Sequence, residues 1–202
     1  MSDAMSEKQT FWTVTGPVLR RRRLILAGIA WFAAPGAAIA QQCRVTPRDA
    51  LGPFYKSGAP FQTELCASGR GGGEKLLVTG RVLGMPDCKP LAGALVEVWQ
   101  ADARGDYTLV TPGKKEDEKC LLRASIRTDG EGRYAFTTIL PGEYPGRPRH
   151  IHYRISHAGY TTLVTQLYFA RESGVPDQLV VSTARNAQGV AQAVFDITLA
   201  KA

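Results

Sequence analysis

The segment LRASIRTDGEGRYAFTTILPGEYPGRPRHIHYRI, Leu122–Ile155, contains three short runs of β-branched, aromatic and other apolar residues separated by turn signals. Asp129 and Gly130 lie between the first two runs, and an Asp-Gly pair in such a place is typical of a tight β-hairpin. The third run follows a stretch rich in proline and glycine. This alternation of short runs and turns predicts consecutive β-strands.

Similar runs continue on both sides of this segment. No long pattern of helical period interrupts them, so we predict an all-β fold, an antiparallel β-sandwich. Upstream, TPRDALGPFYKSGAPF and SGRGGGEK show no sustained period and predict an irregular N-terminal arm. The predicted strands are LLVTGRVLG, GALVEVWQ, LLRASIRT, RYAFTTI, HIHYRIS, TLVTQLYF and AVFDITLA.

Residues 1–40 have the three parts of an export signal. Arg20–Arg23 form a basic patch, Leu24–Ala40 an apolar run, and Ala38–Ala40 an A-x-A cleavage site. A membrane-spanning helix needs about 20 apolar residues. This run has 17 residues and contains Pro35 and Gly36. We therefore predict a cleaved signal peptide over residues 1–40 and no stable membrane anchor after cleavage.

The arginine patch leaves two export routes open. Arginines followed by Leu24, Ile25 and Leu26 resemble a twin-arginine signal, whose pathway exports proteins already folded. Four consecutive arginines also suit an ordinary basic signal region. Either route predicts a periplasmic or secreted protein, and the twin-arginine route would allow a cofactor to be inserted before export.

The remaining residues 41–202 fit one domain. Cleavage would leave 162 of the 202 residues, enough to bury roughly two-thirds of the unfolded surface. The first 40 residues hold five basic and two acidic side chains, so they supply +3 of the net charge of +7 and leave +4. That charge is scattered, without the clusters of Lys and Arg typical of a nucleic-acid surface, so we exclude DNA and RNA as partners.

Four cysteines lie in the predicted exported domain. An even number in an oxidising compartment predicts two structural disulfides. Spacings of 23, 22 and 32 residues exclude a C-x-x-C metal site. Three pairings of Cys43, Cys66, Cys88 and Cys120 are open from the sequence.

Two of the three histidines of the chain lie one residue apart in HIHYRIS. In a strand, the side-chain period of two places His150 and His152 on one face, with Tyr153 and His157 on the other. Two imidazoles on one face can bind one metal ion. Alone, however, the pattern is more commonly a hydrogen-bonded histidine pair, so further ligands must converge for a metal site.

Tyrosine is the residue type available to complete a metal-ligand set with this histidine pair. A three-histidine zinc site would need His157, whose side chain points to the wrong face. A two-histidine, one-carboxylate iron site needs an acidic neighbour, and the position where a cupin has its glutamate is Ser156. Tyr144 precedes the pair and Tyr107 follows an earlier strand. Phenolate is a hard anionic donor, so two tyrosines favour ferric iron.

These residues resemble the intradiol ring-cleavage dioxygenases, the family of catechol and protocatechuate 3,4-dioxygenases. TPRDALGPFY resembles the N-terminal arm of the family, PLAGALVEVWQADARGDY the strand leading to its first tyrosine ligand, and the segment quoted above its core signature. TQLYF follows at the expected place. The resemblance covers most of the chain after the signal and implies a ferric enzyme that cleaves a catechol-type ring with O₂ to a cis,cis-muconate-type product.

The resemblance also assigns residues by position. Arg147 corresponds to an arginine set against the substrate ring and Gln166 to a pocket glutamine. Tyr144 corresponds to the axial tyrosinate, which can act as a base for a phenolic proton. The resemblance implies that the permanent charge of Arg147 stabilises the negative charge that develops on the substrate ring. The four Fe³⁺ ligands implied are Tyr107, Tyr144, His150 and His152.

Two departures bear on the substrate. Only Pro145 and Gly146 separate Tyr144 from Arg147, where the larger members have a longer insertion, which predicts a more open pocket. Arg149 adds charge beside the site, which favours a carboxylated, protocatechuate-like catechol. The chain also has no room for the helical dimerisation segment of the catechol dioxygenases, and its oligomeric state is open.

The alternative function is a binding module without metal or catalysis. GRVLGMPDCKPLAGALVEVW also resembles strands of transthyretin-like and carboxypeptidase-regulatory-like domains. The presence of all four ligand residues distinguishes the two hypotheses, because a binding module has no need for the set.

Overall fold

The computed structural model describes residues 43–67, 70–107, 117–169 and 174–202. The predicted signal peptide, residues 1–40, lies outside these ranges. Within them no helix is long and apolar enough to span a membrane, and the helical structure is one 3₁₀ turn, Asp177–Leu179. The strands are β1 Lys75–Gly84, β2 Lys89–Pro90, β3 Leu95–Trp99, β4 Arg123–Arg127, β5 Arg133–Ile139, β6 His150–Ser156, β7 Leu163–Tyr168, β8 Ala184–Arg185, β9 Ala191–Val194 and β10 Ile197–Leu199.

The strands form two sheets, so the all-β prediction is confirmed. One sheet is antiparallel throughout, in the order β4-β3-β6-β7. The second is built around β1, which pairs antiparallel with β2 and β5 but parallel with β9 and β10. This second sheet is therefore mixed. The run AVFDITLA, predicted as one strand, is divided between β9 and β10, and the two-residue strands β2 and β8 were not predicted.

The core lies between the inner faces of the two sheets, as alternation along the strands requires. In β6, for example, Ile151, Tyr153 and Ile155 are fully buried and belong to the main apolar cluster. Val96 and Val98 of β3 lie in the same cluster. His150 and His152 alternate with the β6 core residues and so lie on the outer face of this sheet.

The tight turn predicted at Asp129 joins β4 to β5, but the hairpin prediction is wrong, because β4 pairs with β3 in one sheet and β5 pairs with β1 in the other. The Asp129 amide donates to the Arg133 carbonyl at 3.0 Å, and the Asp129 carboxylate accepts from the amides of Glu131 at 2.9 Å and Arg133 at 2.8 Å. Gly132 has a φ of 70°, which glycine adopts without the cost it carries for other residues. The turn therefore carries the chain from the antiparallel sheet to the mixed sheet.

The N-terminal arm, residues 43–67, is irregular as predicted and crosses the antiparallel sheet. Short contacts hold it: the Asp49 amide donates to the Val164 carbonyl at 2.9 Å, and the Ser125 amide donates to the Pro60 carbonyl at 2.8 Å. A disulfide joins Cys66, near the end of the arm, to Cys120. One of the two predicted disulfides is therefore present, while Cys43 and Cys88 carry free thiols.

Candidate metal centre

The outer face of the antiparallel sheet carries a polar cluster that spans three strands. Trp99 of β3 lies opposite His152 of β6, which lies opposite Gln166 of β7. His150 lies opposite Tyr168 in the same way. Directly opposed residues share a face, so the register alone brings these five side chains together. Each is at most 4% exposed, because the N-terminal arm covers this face.

The two histidines face each other through their Nε2 atoms, which are 3.1 Å apart. His150 Nδ1 lies 2.6 Å from the Pro148 carbonyl oxygen, so Nδ1 carries the hydrogen and Nε2 presents its lone pair. Burial lowers the pKa of His152 to about 3, and the neighbouring His150 and Arg147 act in the same direction. Burial also lowers the pKa of His150. Both imidazoles are therefore neutral, the form that binds metals.

Both predicted tyrosines reach this histidine pair from loops. Tyr144 Oη lies 3.3 Å from His150 Nε2. The Tyr107 ring centroid is 6.0 Å from that of Tyr144 and 6.4 Å from that of His152. Burial raises the pKa of Tyr107, and the neighbouring Tyr144 phenol raises it further. A phenolate at Tyr107 therefore needs a strong positive charge beside it.

Close backbone packing brings the two tyrosine loops together. The Gly142 amide donates to the Asp102 carbonyl at 2.8 Å. A Cβ atom at Gly105 would lie 2.3 Å from the Glu143 carbonyl oxygen, so only glycine permits this approach. The segment that leads to Tyr107 is thus held against the residue that precedes Tyr144.

A short turn places Arg147 beside the same cluster. The Arg147 amide donates to the Tyr144 carbonyl at 2.9 Å, and Gly146 has a φ of 78°. The Arg147 Nη2 group donates to Gln166 Oε1 at 2.5 Å and to Tyr168 Oη at 3.2 Å. Gln166 in turn donates through Nε2 to the Ala50 carbonyl at 2.8 Å. The two residues predicted from the resemblance are therefore in direct contact.

Several contacting residues were missed by the sequence reasoning. Trp99 stacks on His152 with centroids 4.9 Å apart, and Tyr55 packs on Trp99 at the same distance. Tyr168 Oη donates to Asp49 Oδ2 at 2.8 Å. Trp99 could have been found from strand parity, because it shares a face with Glu97 rather than with the core residues of β3. Asp49 lies in an irregular arm, where no periodicity indicates which way a side chain points.

A partly buried ion pair lies behind the stacked rings. Glu97 is 7% exposed and accepts from Arg154 Nη1 at 2.5 Å. It also accepts from Tyr55 Oη at 2.9 Å. These contacts hold Tyr55 against Trp99, and thus one layer behind the histidine pair.

The donor set fits a hard, multiply charged metal ion. Two donors bound at about 2.1 Å to one ion at a right angle lie about 3 Å apart. The spacings of the two Nε2 atoms and of Tyr144 Oη, 3.1 and 3.3 Å, agree with this. Among the described residues no three His, Cys, Asp or Glu side chains come together, so a site here must use tyrosine. Two phenolates and two neutral imidazoles suit Fe³⁺ better than the softer divalent ions.

Comparison with known proteins gives the family. A protein-family model described as a dioxygenase matches residues 50–198. Catechol 1,2-dioxygenase 2 of Acinetobacter lwoffii is 38% identical over 142 residues, which are 60% of this chain and 50% of that protein. Hydroxyquinol 1,2-dioxygenase of Rhizobium sp. is 37% identical over 139 residues, 58% of this chain and 45% of that protein. This chain belongs to the intradiol ring-cleavage dioxygenases.

Solved structures of intradiol dioxygenases share the fold. The dioxygenase domain of a carbohydrate-binding fusion protein from Streptomyces sp. SirexAA-E has a TM-score of 0.68 and 34% identity, covering 79% of this chain and 100% of that domain. The 3-chlorocatechol 1,2-dioxygenase of Rhodococcus opacus 1CP has a TM-score of 0.67 and 28% identity, covering 78% and 73%. The chain spans about half the length of the first two curated relatives.

Proposed function

We propose that this family member is a ferric intradiol dioxygenase that cleaves a catechol-type ring with O₂ to a cis,cis-muconate-type dicarboxylate. The observation that carries the proposal is the convergence of His150 Nε2, His152 Nε2 and Tyr144 Oη within 3.1 to 3.3 Å contacts, with Tyr107 beside them. The relatives support it, since their names include catechol and hydroxyquinol 1,2-dioxygenases.

The four predicted ligands would hold the iron. Tyr107, His150 and His152 are buried, whereas Tyr144 is only partly so. Iron(III), when bound, would activate the catecholate ring toward O₂. The pKa directions given above keep both imidazoles neutral, so the negative charge of the ligand set comes from the two phenolates.

Tyr144 and Arg147 have the positions that acid–base and electrostatic roles need. The Tyr144 oxygen can accept a proton from a substrate hydroxyl, because it lies beside the histidine pair on a residue that is only partly buried. Arg147 is always charged, and Gln166 and Tyr168 orient its guanidinium by hydrogen bonds. A fixed cation beside the ring stabilises negative charge that develops there. Gln166 acts by holding this cation.

Arg149 bears on the choice of catechol. Its guanidinium is about half-exposed and lies 3.6 Å from the Glu143 carboxylate, two residues from Arg147. A carboxylate on the ring would find two cations at this edge of the site, which favours a protocatechuate-like substrate. Rates with protocatechuate and with catechol, compared between the unmodified protein and an Arg149→Ala variant, test this preference.

The test of the proposal is a visible absorption spectrum of the ferric-reconstituted protein before and after anaerobic addition of a catechol. Ferric tyrosinate gives a red-brown charge-transfer band, and a catecholate shifts it. Admission of O₂ should then yield a ring-opened dicarboxylate, identified by mass spectrometry. A protein that stays colourless after reconstitution would contradict the proposal and favour a metal-free binding module.

Paired variants make the assignment specific. His152→Ala should abolish the band and the activity, whereas His157→Ala should keep both, because the contacts of His157, with the carbonyls of Ala92 and Ala158 and the Tyr160 ring, lie outside the metal centre. Arg147→Ala should keep the iron band and lose turnover. An active, iron-loaded His152→Ala protein would remove that residue from the site.

We also propose that the protein is exported to the periplasm or the cell exterior after removal of residues 1–40. The basic patch, apolar run and A-x-A site support this, as does the Cys66–Cys120 disulfide, since such bonds persist in oxidising compartments. Mass spectrometry of the exported protein should find an N-terminus at Gln41. Lysines in place of Arg21 and Arg22 should block export if the route is the twin-arginine pathway.

A further inference from the structure

Two free cysteines far apart in the chain meet at one surface cavity. Cys43 begins the described part of the N-terminal arm, and Cys88 lies in the turn between β1 and β2. Both line a cavity of about 370 Å³, together with Thr198 and Leu83. This cavity lies on the mixed sheet, so its cysteines are not part of the metal centre.

The strand register explains why the two cysteines meet. The Thr46 amide donates to the Thr198 carbonyl at 3.0 Å, and the Thr198 amide donates to Thr46 Oγ1 at 2.8 Å. Thr198 of β10 lies opposite Leu83 of β1, and the next residue of β1 lies opposite Lys89 of β2. The arm is thus tied to the same end of β1 at which the β1–β2 turn begins.

Side-chain contacts also indicate that Cys43 and Cys88 are neighbours. Cys43 Sγ lies 3.7 Å from Thr198 Oγ1, so its side chain contacts β10, the strand beside β1. Burial raises the pKa of the Cys43 thiol, and the neighbouring Cys88 thiol raises it further. Both residues are partly exposed, so an oxidant can reach them.

We propose that Cys43 and Cys88 form a second disulfide, which fastens the start of the N-terminal arm to the β1–β2 turn. With Cys66 and Cys120 already joined, this pairing uses all four cysteines of the chain. A metal site at the pair has no support, because no third His, Cys, Asp or Glu completes a ligand group among the described residues.

The reaction is thiol–disulfide exchange with a disulfide oxidant. One cysteine thiolate attacks the oxidant, and the second displaces the reduced half of the oxidant from the mixed disulfide. The two cysteines lose two electrons and two protons in total, and the oxidant disulfide becomes two thiols.

The disulfide would hold the arm where it approaches the metal centre. Asp49, which contacts Tyr168, and Gly52, which packs on His152, follow Cys43 within ten residues. Chain ends fray unless they are tied down. A covalent anchor at Cys43 therefore confines these two contacts without touching the predicted ligands.

Peptide mapping tests the pairing directly, and trypsin separates all four cysteines. The full chain is incubated with oxidised glutathione, its remaining thiols are blocked with N-ethylmaleimide, and it is digested without reduction. Lys89 precedes Pro90 and so escapes cleavage. The peptides are Leu24–Arg44, Ser57–Arg70, Val82–Arg104 and Cys120–Arg123.

We expect a cross-linked species of Leu24–Arg44 with Val82–Arg104, alongside the Cys66–Cys120 pair. Peptides in which Cys43 and Cys88 are both alkylated or both glutathionylated would overturn the proposal, as would a cross-link from either one to Cys66 or Cys120. Because the oxidation is carried out in vitro, this result does not depend on export or on dioxygenase activity.

Stability of serine variants gives a second readout. Cys43→Ser and Cys88→Ser should each lower the Tm of the oxidised protein by roughly 5–10 °C, and the double variant should lower it no further. Two independent thiols would instead give additive shifts or none, and either result would overturn the proposal. After full reduction, the three variants and the unmodified chain should unfold at similar temperatures.

Discussion

Trp99 lies face to face with His152: their ring centroids are 4.9 Å apart and their planes are 4° from parallel. The two residues are directly opposed in the β3–β6 pair, and both are almost completely buried. A flat indole on one face of this imidazole, a predicted metal ligand, restricts the rotation of the ring. Groups that orient a ligand in this way commonly matter nearly as much as the ligand itself.

Replacing Trp99 by leucine should therefore weaken iron binding by about tenfold, because the His152 ring loses its stacked support. Iron titration followed by the charge-transfer band measures the affinity, and thermal unfolding confirms that the variant is folded. Trp99→Phe is the matched control, since it keeps a flat face. Trp99 Nε1 has no hydrogen-bond partner among the described residues, so phenylalanine removes no bond. Equal affinity for the leucine and phenylalanine variants would contradict the orienting role.

Gly52 packs against the His152 ring. Gly52→Ala should therefore lower the free energy of iron binding more than it lowers the free energy of unfolding. A Cβ atom there would lie 3.0 Å from His152 Cε1. The arm or the imidazole must then shift, and either change misplaces a ligand. Iron content after reconstitution, together with urea unfolding, measures the two effects separately.

Gly58→Ala is the control for backbone strain. Gly52 and Gly58 have φ angles of 73° and 74°, but a Cβ atom at Gly58 would meet nothing within 4 Å. Alanine costs about 1–2 kcal/mol in this left-handed region at either position. The Gly58 variant should therefore lose similar stability and keep its iron. An iron-deficient Gly58 variant would show that strain in the arm, rather than contact with His152, controls the site.

The sandwich and the histidine pair could be predicted from the sequence because both depend on local patterns. β5 and β6 have the boundaries that their apolar runs indicated. The parallel pairing of β1 with β9 and β10 could not be predicted in this way, since it joins segments more than 100 residues apart. Alternation indicates that a segment is a strand, but it does not identify the neighbour of that strand.

The metal centre was only partly predictable for a similar reason. That His150 and His152 share one face of the sheet follows from β6 alone, whereas Tyr107 was assigned as a ligand through the resemblance of this chain to the dioxygenase family. Asp49 carries no such signal, because its role depends on where an irregular arm crosses the sheet.

Asp49 should influence turnover through Tyr168. Its carboxylate accepts from Tyr168 Oη, which in turn contacts the Arg147 guanidinium. A hydrogen bond to a charged acceptor is worth about 1 kcal/mol more than one to a neutral acceptor. Asp49→Asn should therefore lower kcat about fivefold. Steady-state kinetics and iron content measured together should show the loss with the metal still bound.

A double variant that combines Asp49→Asn with Tyr168→Phe tests whether Asp49 affects kcat through Tyr168. If Asp49 acts through Tyr168, the double variant should be no slower than Tyr168→Phe alone. Additive losses would mean that Asp49 acts on the site directly. Asp87→Asn provides a surface control, because Asp87 is exposed and pairs with exposed Lys89 in the β1–β2 turn.

The metal-free protein should lose stability as the pH falls from 7.5 to 5, because His152 stays neutral in the fold. Its pKa is about 3 when folded, against an ordinary value of 6.5. Between these values the unfolded chain binds a proton that the folded chain does not, so unfolding becomes easier as pH falls. His152 alone should contribute a loss of about 2 kcal/mol at pH 5. The lowered pKa of His150 adds to this loss in the same direction.

Urea unfolding at several pH values measures how steeply the free energy of unfolding changes with pH. His152→Gln should flatten this slope; an unchanged slope in this variant would mean that His152 is not buried in its neutral form.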